Sequence, residues 1–360
     1  MKIPYTDLKE HSLDNFKTIR YMKEKYFNNN QKKDIDLIGL GNAIVDIIVN
    51  VEDQFLEVNN LKKGSMNLIN LNESKVLLEN CKVVKKISGG SSANTVVCLA
   101  ELGNNVQFIG RVKNDNFGNF FSNDIKKSNT LFKTPPTEEG PSSAHSIIFI
   151  TPDAQRTMCT YLGASVEFEP KDVNHNSIRN SKYLYLEGYL WDSNPAKNAF
   201  LKAAKIAKES NTQIILSLSD SFCVDRHRES FLELINKYVD ILFCNESEIL
   251  SLLIENDLQS CKESISSLCE LVIITLGNKG SLVINKDKSE EIKPLQLGRV
   301  IDTTGAGDLY AGGFIHGLIN HYSLKRCGEI GSLCAGHIIT QLGSRSNIDL
   351  QDLFRKLSLK

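Results

Sequence analysis

Residues Val300–His321 read VIDTTGAGDLYAGGFIHGLINH, and the order of the parts poses a problem of local chemistry. The apolar run from Leu309 has the length of a helix. Thr303, Thr304 or an early acid such as Asp308 would be ordinary at its start. Gly305, Ala306 and Gly307 would not, since glycine holds a helix poorly. Small residues there let the backbone approach a ligand, and the unpaired amides of a helix start attract an anion. An acid directly behind an anion cradle is electrostatically awkward unless it performs a task. As a carboxylate, Asp308 can take the proton of an attacking hydroxyl while the amides hold a phosphoryl group.

Upstream of this stretch, apolar β-rich runs alternate with helical patterns. KYLYLEG, QIILSLS, VDILFC and LVIITLG read as strands, and PAKNAFLKAAKIAKES, DRHRESFLELINK and ESEILSLLI as the helices between them. This alternation predicts βαβ units and a parallel sheet covered on both faces. DIDLIGLG begins the series, NLNESKVLLENC reads as a capped helix, and GSLVIN with SEEIKPLQL as a terminal hairpin. HSIIFI and RTMCTYLG, joined by TPDAQ, predict another hairpin, which with extended chain near Val45–Val51 would form a small lid. The expected division is a polar extension over residues 1–33 and one domain over 34–360. Lid strands fall within about 44–70 and 143–165. In such a sheet ligands bind beyond the carboxyl ends of the strands. The second Gly-rich loop there is SGGSSANT, Ser88–Thr95.

The chain has 360 residues, 41% hydrophobic and 24% charged, with a net charge of -1. That balance argues against a nucleic-acid footprint, which needs a basic excess. No run approaches the roughly 20 apolar residues of a membrane span, and no apolar signal core begins the sequence. The nine cysteines are scattered and never spaced as C-x-x-C, which disfavours disulfide frameworks and zinc sites. The expectation is a soluble cytoplasmic α/β protein with neither nucleic-acid nor membrane partners, monomeric or homodimeric.

DTTGAGDLYAGGF resembles the C-terminal signature of the ribokinase-like (PfkB) carbohydrate-kinase family, and SGGSSANT its N-terminal Gly-Gly signature. GLGNAIVDI, PDAQRTMCTYLGA, YLEGYLWD and VDILFCNESEI are similar to further family stretches, most of all in the branch of adenosine kinases and related sugar kinases. The resemblance runs from about Asp34 to about Leu342. It implies a ribokinase-like three-layer α/β/α core with a mostly parallel sheet and a small β-strand lid. It also implies a kinase using ATP with Mg²⁺, and a monovalent cation such as K⁺ beside the anion hole.

Residue by residue, the resemblance makes Asp308 the base, with Gly305, Ala306 and Gly307 the anion hole and Arg156 a lid arginine reaching the phosphate. Asn42, Asp46, Gly89, Gly90 and Asn94 would contact the acceptor. Asn245 and Glu248 would organise Mg²⁺ through water. Thr275, Gly277 and Gly280 belong to the loop against which ATP would lie, and Asp302 and Thr304 could offer oxygens to a monovalent cation. Several of these have plainer readings. Asp46 could simply face solvent, Arg156 could be a solvated turn charge, and Asn245 with Glu248 could be a helix-capping pair.

The expected reaction is phosphoryl transfer from ATP to the primary hydroxyl of an adenosine-like nucleoside, a purine-salvage chemistry. The alternatives are a family kinase acting on ribose, fructose or a related sugar, and a non-catalytic nucleotide-binding protein on the same fold. Phe149, Tyr161, Tyr189 and Trp191 are the candidates for clamping a purine base. An oxidoreductase is disfavoured, because GLGNAI places Ile44 at the third glycine position and continues as strand. A P-loop enzyme is disfavoured because no G-x-x-x-x-G-K-[ST] occurs.

Overall fold

Segments such as ILFC and LVII are apolar at every position, and they lie inside a sheet buried on both faces. The computed structural model describes residues 33–153, 155–286 and 288–358; the expected extension over 1–33, apart from Lys33, lies outside them. The strands in chain order are β1 (Ile35–Leu40), β2 (Ile44–Asn50), β3 (Met66–Leu68), β4 (Val83–Gly89), β5 (Val106–Ile109), β6 (Leu131–Phe132) and β7 (Ala144–Ile150). They continue with β8 (Arg156–Tyr161), β9 (Ser181–Glu187), β10 (Gln213–Ser217), β11 (Ile241–Asn245), β12 (Leu271–Thr275), β13 (Ser281–Asn285) and β14 (Lys288–Ile292).

Nine of them form one sheet in the order β14-β13-β12-β11-β10-β9-β1-β5-β6. All its pairings are parallel except β12 with β13 and β13 with β14, the expected terminal hairpin. One face packs on the helices Asn194–Glu209, Ser221–Tyr238, Glu246–Leu253 and Leu258–Leu268, through Ala199, Phe200, Phe231, Ile249 and Ile265. The other packs on Ser91–Glu101, Asn116–Lys127 and Ala306–Ile319, through Val96, Phe121 and Phe314, with Leu324–Ile338 joining by Cys327. These are the three layers of an α/β/α core.

The second sheet has five strands in the order β3-β8-β7-β2-β4. It draws β2 and β3 from the first expected lid range, β7 and β8 from the second, and β4 from outside both. β4 runs VVKKISG with its first four residues exposed, so no apolar alternation announces it. Val45, Ile47, Val49, Ile147, Phe149 and Cys159 join the hydrophobic core on one side of this sheet. Alternation along each strand sends Asp46, Ile48, Ser146, Ile148 and Thr160 to the other side.

Candidate active site

The carboxyl ends of β1, β9, β10, β11 and β12 all open on one edge of the large sheet, as parallel strands require. The DTTGAGD loop crosses above that edge. Asp302 anchors it by accepting the backbone N–H groups of Thr304 and Gly343, each at 2.8 Å. Gly305 precedes the helix Ala306–Ile319 at φ +73°, where a side chain is strained and its Cβ would meet Ser344 at 2.8 Å. Gly307 differs: a Cβ there meets nothing within 4 Å. Its surroundings are open, so no protein neighbour demands a glycine at that position. The first amides of this helix have no i−4 carbonyl, and they lie beside the acid.

Asp308 sits in the first turn, partly accessible yet crowded by protein. Its Oδ1 accepts the Ser91 hydroxyl at 2.7 Å and its Oδ2 the Asn94 amide at 2.8 Å. Burial pushes its pKa up, while Asn94, Ser91 and the nearby Arg345 guanidinium oppose the rise. The two Gly-rich signatures, far apart in sequence, therefore meet at one carboxylate.

The expected acceptor residues surround it. Asp46 is only 9% exposed, and its carboxylate makes no hydrogen bond among the described residues. Burial raises its pKa to about 7, opposed by Arg345 and Arg156 and reinforced by Asp308 and Asp302. Gly89 is required by this carboxylate, because a Cβ there would overlap it. Gly90 caps the helix Ser91–Glu101 and lies against the Asn42 carbonyl. Asn42 donates its amide to Glu187 Oε1 at 2.6 Å, and its own side-chain oxygen is buried without a partner.

Two residues of this centre were not singled out from the sequence. Glu187, 1% exposed at the end of β9, accepts from Asn42 and, at 2.8 Å, from the Ser92 amide. It ties the β1 loop to the Gly-Gly loop, and burial raises its pKa to about 7. Arg345 donates to the Asn94 side-chain oxygen and to the Ser88 carbonyl. It supplies the positive charge facing Asp46 and Asp308.

On the opposite side, Asn245 and Glu248 form a complete capping box. The Asn245 oxygen accepts the Glu248 N–H at 2.9 Å, and the Glu248 carboxylate accepts the Asn245 N–H and side-chain amide at 3.0 and 2.6 Å. Glu248 is buried with its pKa raised to about 7. Its oxygens are already engaged, which suits an outer, water-mediated hold on a cation better than direct coordination. Among the described residues no group of three His, Cys, Asp or Glu side chains could cage a metal. Thr275 ends β12, and Gly277 and Gly280 bracket the turn that follows.

Arg156 reaches out of the lid to the DTTGAGD loop, its Nε 2.9 Å from Asp302 Oδ1. One guanidinium nitrogen, Nη1, is buried without a partner, as is the Thr304 hydroxyl oxygen. Buried polar atoms are seldom left this way in a folded protein, and these two flank the anion cradle. Asp302 accepts the N–H groups of Thr304 and Gly343 and forms an ion pair with Arg156.

Three of the four aromatic candidates for a base clamp are placed elsewhere. Phe149 packs on Phe55 in the core, Tyr161 lies against His145, and Trp191 stacks on Phe231 beneath the opposite helix layer. Register sends the first two to the core side of the lid. Tyr189 remains at the cleft, 37% exposed. Burial, with the carboxylates of Asp220, Asp308, Glu248 and Glu187 near it, raises its pKa. A cavity of about 670 Å³ opens elsewhere, beside Gln107, Arg111, Lys133 and Lys171, and none of the expected site residues lines it.

This combination of a ribokinase-like sheet, a cradle of amides and an acid beneath it defines a phosphotransferase that acts on hydroxyl groups. The chain belongs to the pfkB family of carbohydrate kinases, whose profile matches residues 59–351. A 5-dehydro-2-deoxygluconokinase of Clostridium botulinum is 28% identical over 279 residues, 73% of this chain and 81% of its own. The probable sugar kinase from Rhizobium etli CFN 42 superposes with a TM-score of 0.86 at 38% identity, covering 91% of this chain and 100% of its own. The adenosine kinase from Sinorhizobium meliloti superposes at 0.85 with 41% identity, covering 90% and 99%. Family membership implies ATP as donor, usually with Mg²⁺, and a small sugar or nucleoside as acceptor. No helix among the described residues is long and apolar enough to cross a membrane.

Proposed function

We propose that this kinase transfers the γ-phosphate of ATP to the primary hydroxyl of an adenosine-like nucleoside, with Asp308 as general base. The observation that carries the base assignment is the position of Asp308, fixed by Ser91 and Asn94 directly behind the cradle. A carboxylate whose pKa is raised is a better proton acceptor, provided it is ionised at the working pH. Asn94 and Arg345 favour that ionised form. The amides at Gly305–Gly307 would take the charge of the transferring group, and Arg156 and Thr304 carry the unfilled donors beside it. Asp46 and Asn42 would hold the acceptor. Little covalent chemistry falls to the protein, so positioning and charge neutralisation do most of the work. ATP would lie against the turn after Thr275, and Asn245 with Glu248 would organise Mg²⁺ through water.

The nucleoside assignment draws on the 41% identity with the Sinorhizobium adenosine kinase. A free sugar or sugar acid is the second reading. It is favoured by the similarity to a 5-dehydro-2-deoxygluconokinase and by the withdrawal of three aromatic side chains from the cleft. ATP consumption measured with adenosine, inosine, ribose, fructose and 5-dehydro-2-deoxygluconate decides between them. Turnover with adenosine alone supports the nucleoside, and preference for a sugar overturns that acceptor while leaving Asp308 as base. Absence of turnover with every acceptor would favour a non-catalytic nucleotide-binding protein.

A further inference from the structure

At the β6 edge of the nine-stranded sheet, a corner of one face is left open. Along β5, Val106 and Phe108 pack into the core beneath Ser91–Glu101. Alternation turns Gln107 and Ile109 to the other face, where Ile109 joins the core beneath Asn194–Glu209. Leu131, opposite Gln107 on β6, is 38% exposed. Two loops, residues 133–137 and 171–176, stand over this corner and border the cavity of about 670 Å³. Pockets for small molecules measure roughly 300–1,000 Å³.

The lining leaves polar groups without partners. Gln107 is 2% exposed, and its carboxamide makes no hydrogen bond among the described residues. Arg111 is 7% exposed, and its Nε is buried without a partner. Buried polar groups are seldom left this way. Of the charged side chains that line the cavity, Arg111, Lys133 and Lys171 are cationic and Asp172 alone is anionic. Glu169 lies outside the lining, paired with Arg111 and Lys171, and the charge of Glu167 also acts on Arg111. Lys133 makes no ion pair among the described residues. Ile109, Pro135 and Pro136 give the cavity its apolar walls.

The cavity also adjoins the root of the lid hairpin β7–β8. On the outgoing side of that hairpin, the Glu167 carbonyl accepts Arg111 Nη1 at 2.6 Å. On the incoming side, the Thr137 N–H donates to the Val112 carbonyl at 2.9 Å, and the Ser143 hydroxyl accepts the Lys113 N–H at 2.9 Å. Residues 111–113 therefore hold both segments through which the hairpin joins the core.

We infer that this cavity is an effector site for a small organic anion, with its charged group between Arg111 and Lys133 and an uncharged polar group on Gln107. Lys133 follows Phe132, which pairs with Phe108, so it stands beside Ile109, midway between Gln107 and Arg111. At about 3.3 Å per residue, the two ends of the ligand lie roughly 7–13 Å apart. That is the reach of a sugar phosphate or a nucleoside monophosphate. The anion binds Arg111 and so braces the segments that carry the hairpin. Binding that differs between the open and closed positions of the lid then changes the affinity for the acceptor.

Calorimetric titration tests the site, with ribose 5-phosphate, AMP, citrate and inorganic phosphate as probes and a non-hydrolysable ATP analogue saturating the donor site. Wild type is compared with Lys133→Glu, Gln107→Leu and Asp46→Asn, each checked by a melting curve. At least one organic probe is expected to bind wild type below about 1 mM. Lys133→Glu should weaken it roughly tenfold or more, and Gln107→Leu roughly three- to tenfold, the effects of a charged and a neutral hydrogen bond. Asp46→Asn should leave it unchanged. The same probe should change acceptor KM roughly fivefold or more in wild type and not in Lys133→Glu. Failure of every probe to bind wild type overturns the site, as does binding that Lys133→Glu and Gln107→Leu both retain in full. Loss of binding in Asp46→Asn alone assigns the anion to the active site and overturns it too. Inorganic phosphate binding as tightly as the organic probes removes Gln107 from the site. An unchanged acceptor KM with the anion bound overturns the effector role.

Discussion

Asn94 donates its amide to Oδ2 of Asp308 at 2.8 Å, while its own oxygen accepts from Arg345. The carboxylate proposed as the proton acceptor is thereby oriented by a neutral group that is itself held by a cation. Removing the carboxylate keeps the shape of this cluster but abolishes its basicity. Asp308→Asn is expected to lower kcat by roughly 10²- to 10⁴-fold while thermal melting changes little. Steady-state turnover and a melting curve on the same preparation check both halves.

Arg345 stabilises the ionised forms of Asp308 and Asp46 through space. With Arg345→Met both carboxylates lose that help, and their pKa values rise further. The acid limb of the kcat/KM profile for the acceptor should consequently move to higher pH. A limb that stayed in place or moved to lower pH would remove Arg345 from the electrostatics of the site.

Gly305 and Gly307 separate folding from function. Gly305→Val forces a β-branched residue into a positive φ and against Ser344, so it should lower the melting temperature. Gly307→Val differs, because an added Cβ there meets nothing within 4 Å. It should leave the melting temperature nearly unchanged and reduce turnover by blocking backbone approach to the phosphate. Equal loss of stability in the two variants would contradict the distinction.

The large sheet was legible because parallel strands buried on both faces are written as unbroken apolar runs, as in LVII and ILFC. The proposed base was legible because Asp308 follows small residues that ordinary helix formation does not require. Glu187 was not, since an acid at a strand end in YLEG has no local oddity; its meaning comes from Asn42 and Ser92, both distant in sequence. Arg345 is silent for the same reason. Phe149 and Tyr161 show a different limit. A one-residue change of register exchanges the faces of a strand, and sequence did not reveal which parity shared a face with Asp46.

The buried carboxylates make stability depend on pH in an uncommon direction. Burial raises the pKa of Asp46, Glu187 and Glu248 to about 7 in the folded chain, from ordinary values of 3.8 for Asp and 4.5 for Glu. Between pH 4 and 7 these three groups bind more protons in the folded state than in the unfolded state, and their contribution to stability falls as pH rises through that window. His316, which burial lowers to about 4, acts in the opposite direction as one group against three. Carboxylates lowered by surface partners, such as Asp153 near 2 beside Lys63, act at lower pH and do not cancel the effect. The ligand-free protein should thus melt at a higher temperature at pH 5.5 than at pH 7.5. Glu187→Gln, which is neutral at both values, should reduce that difference, because its contribution no longer titrates. Melting curves at the two pH values for wild type and variant supply the check, and a wild-type melting temperature that climbed with pH would contradict the raised carboxylates.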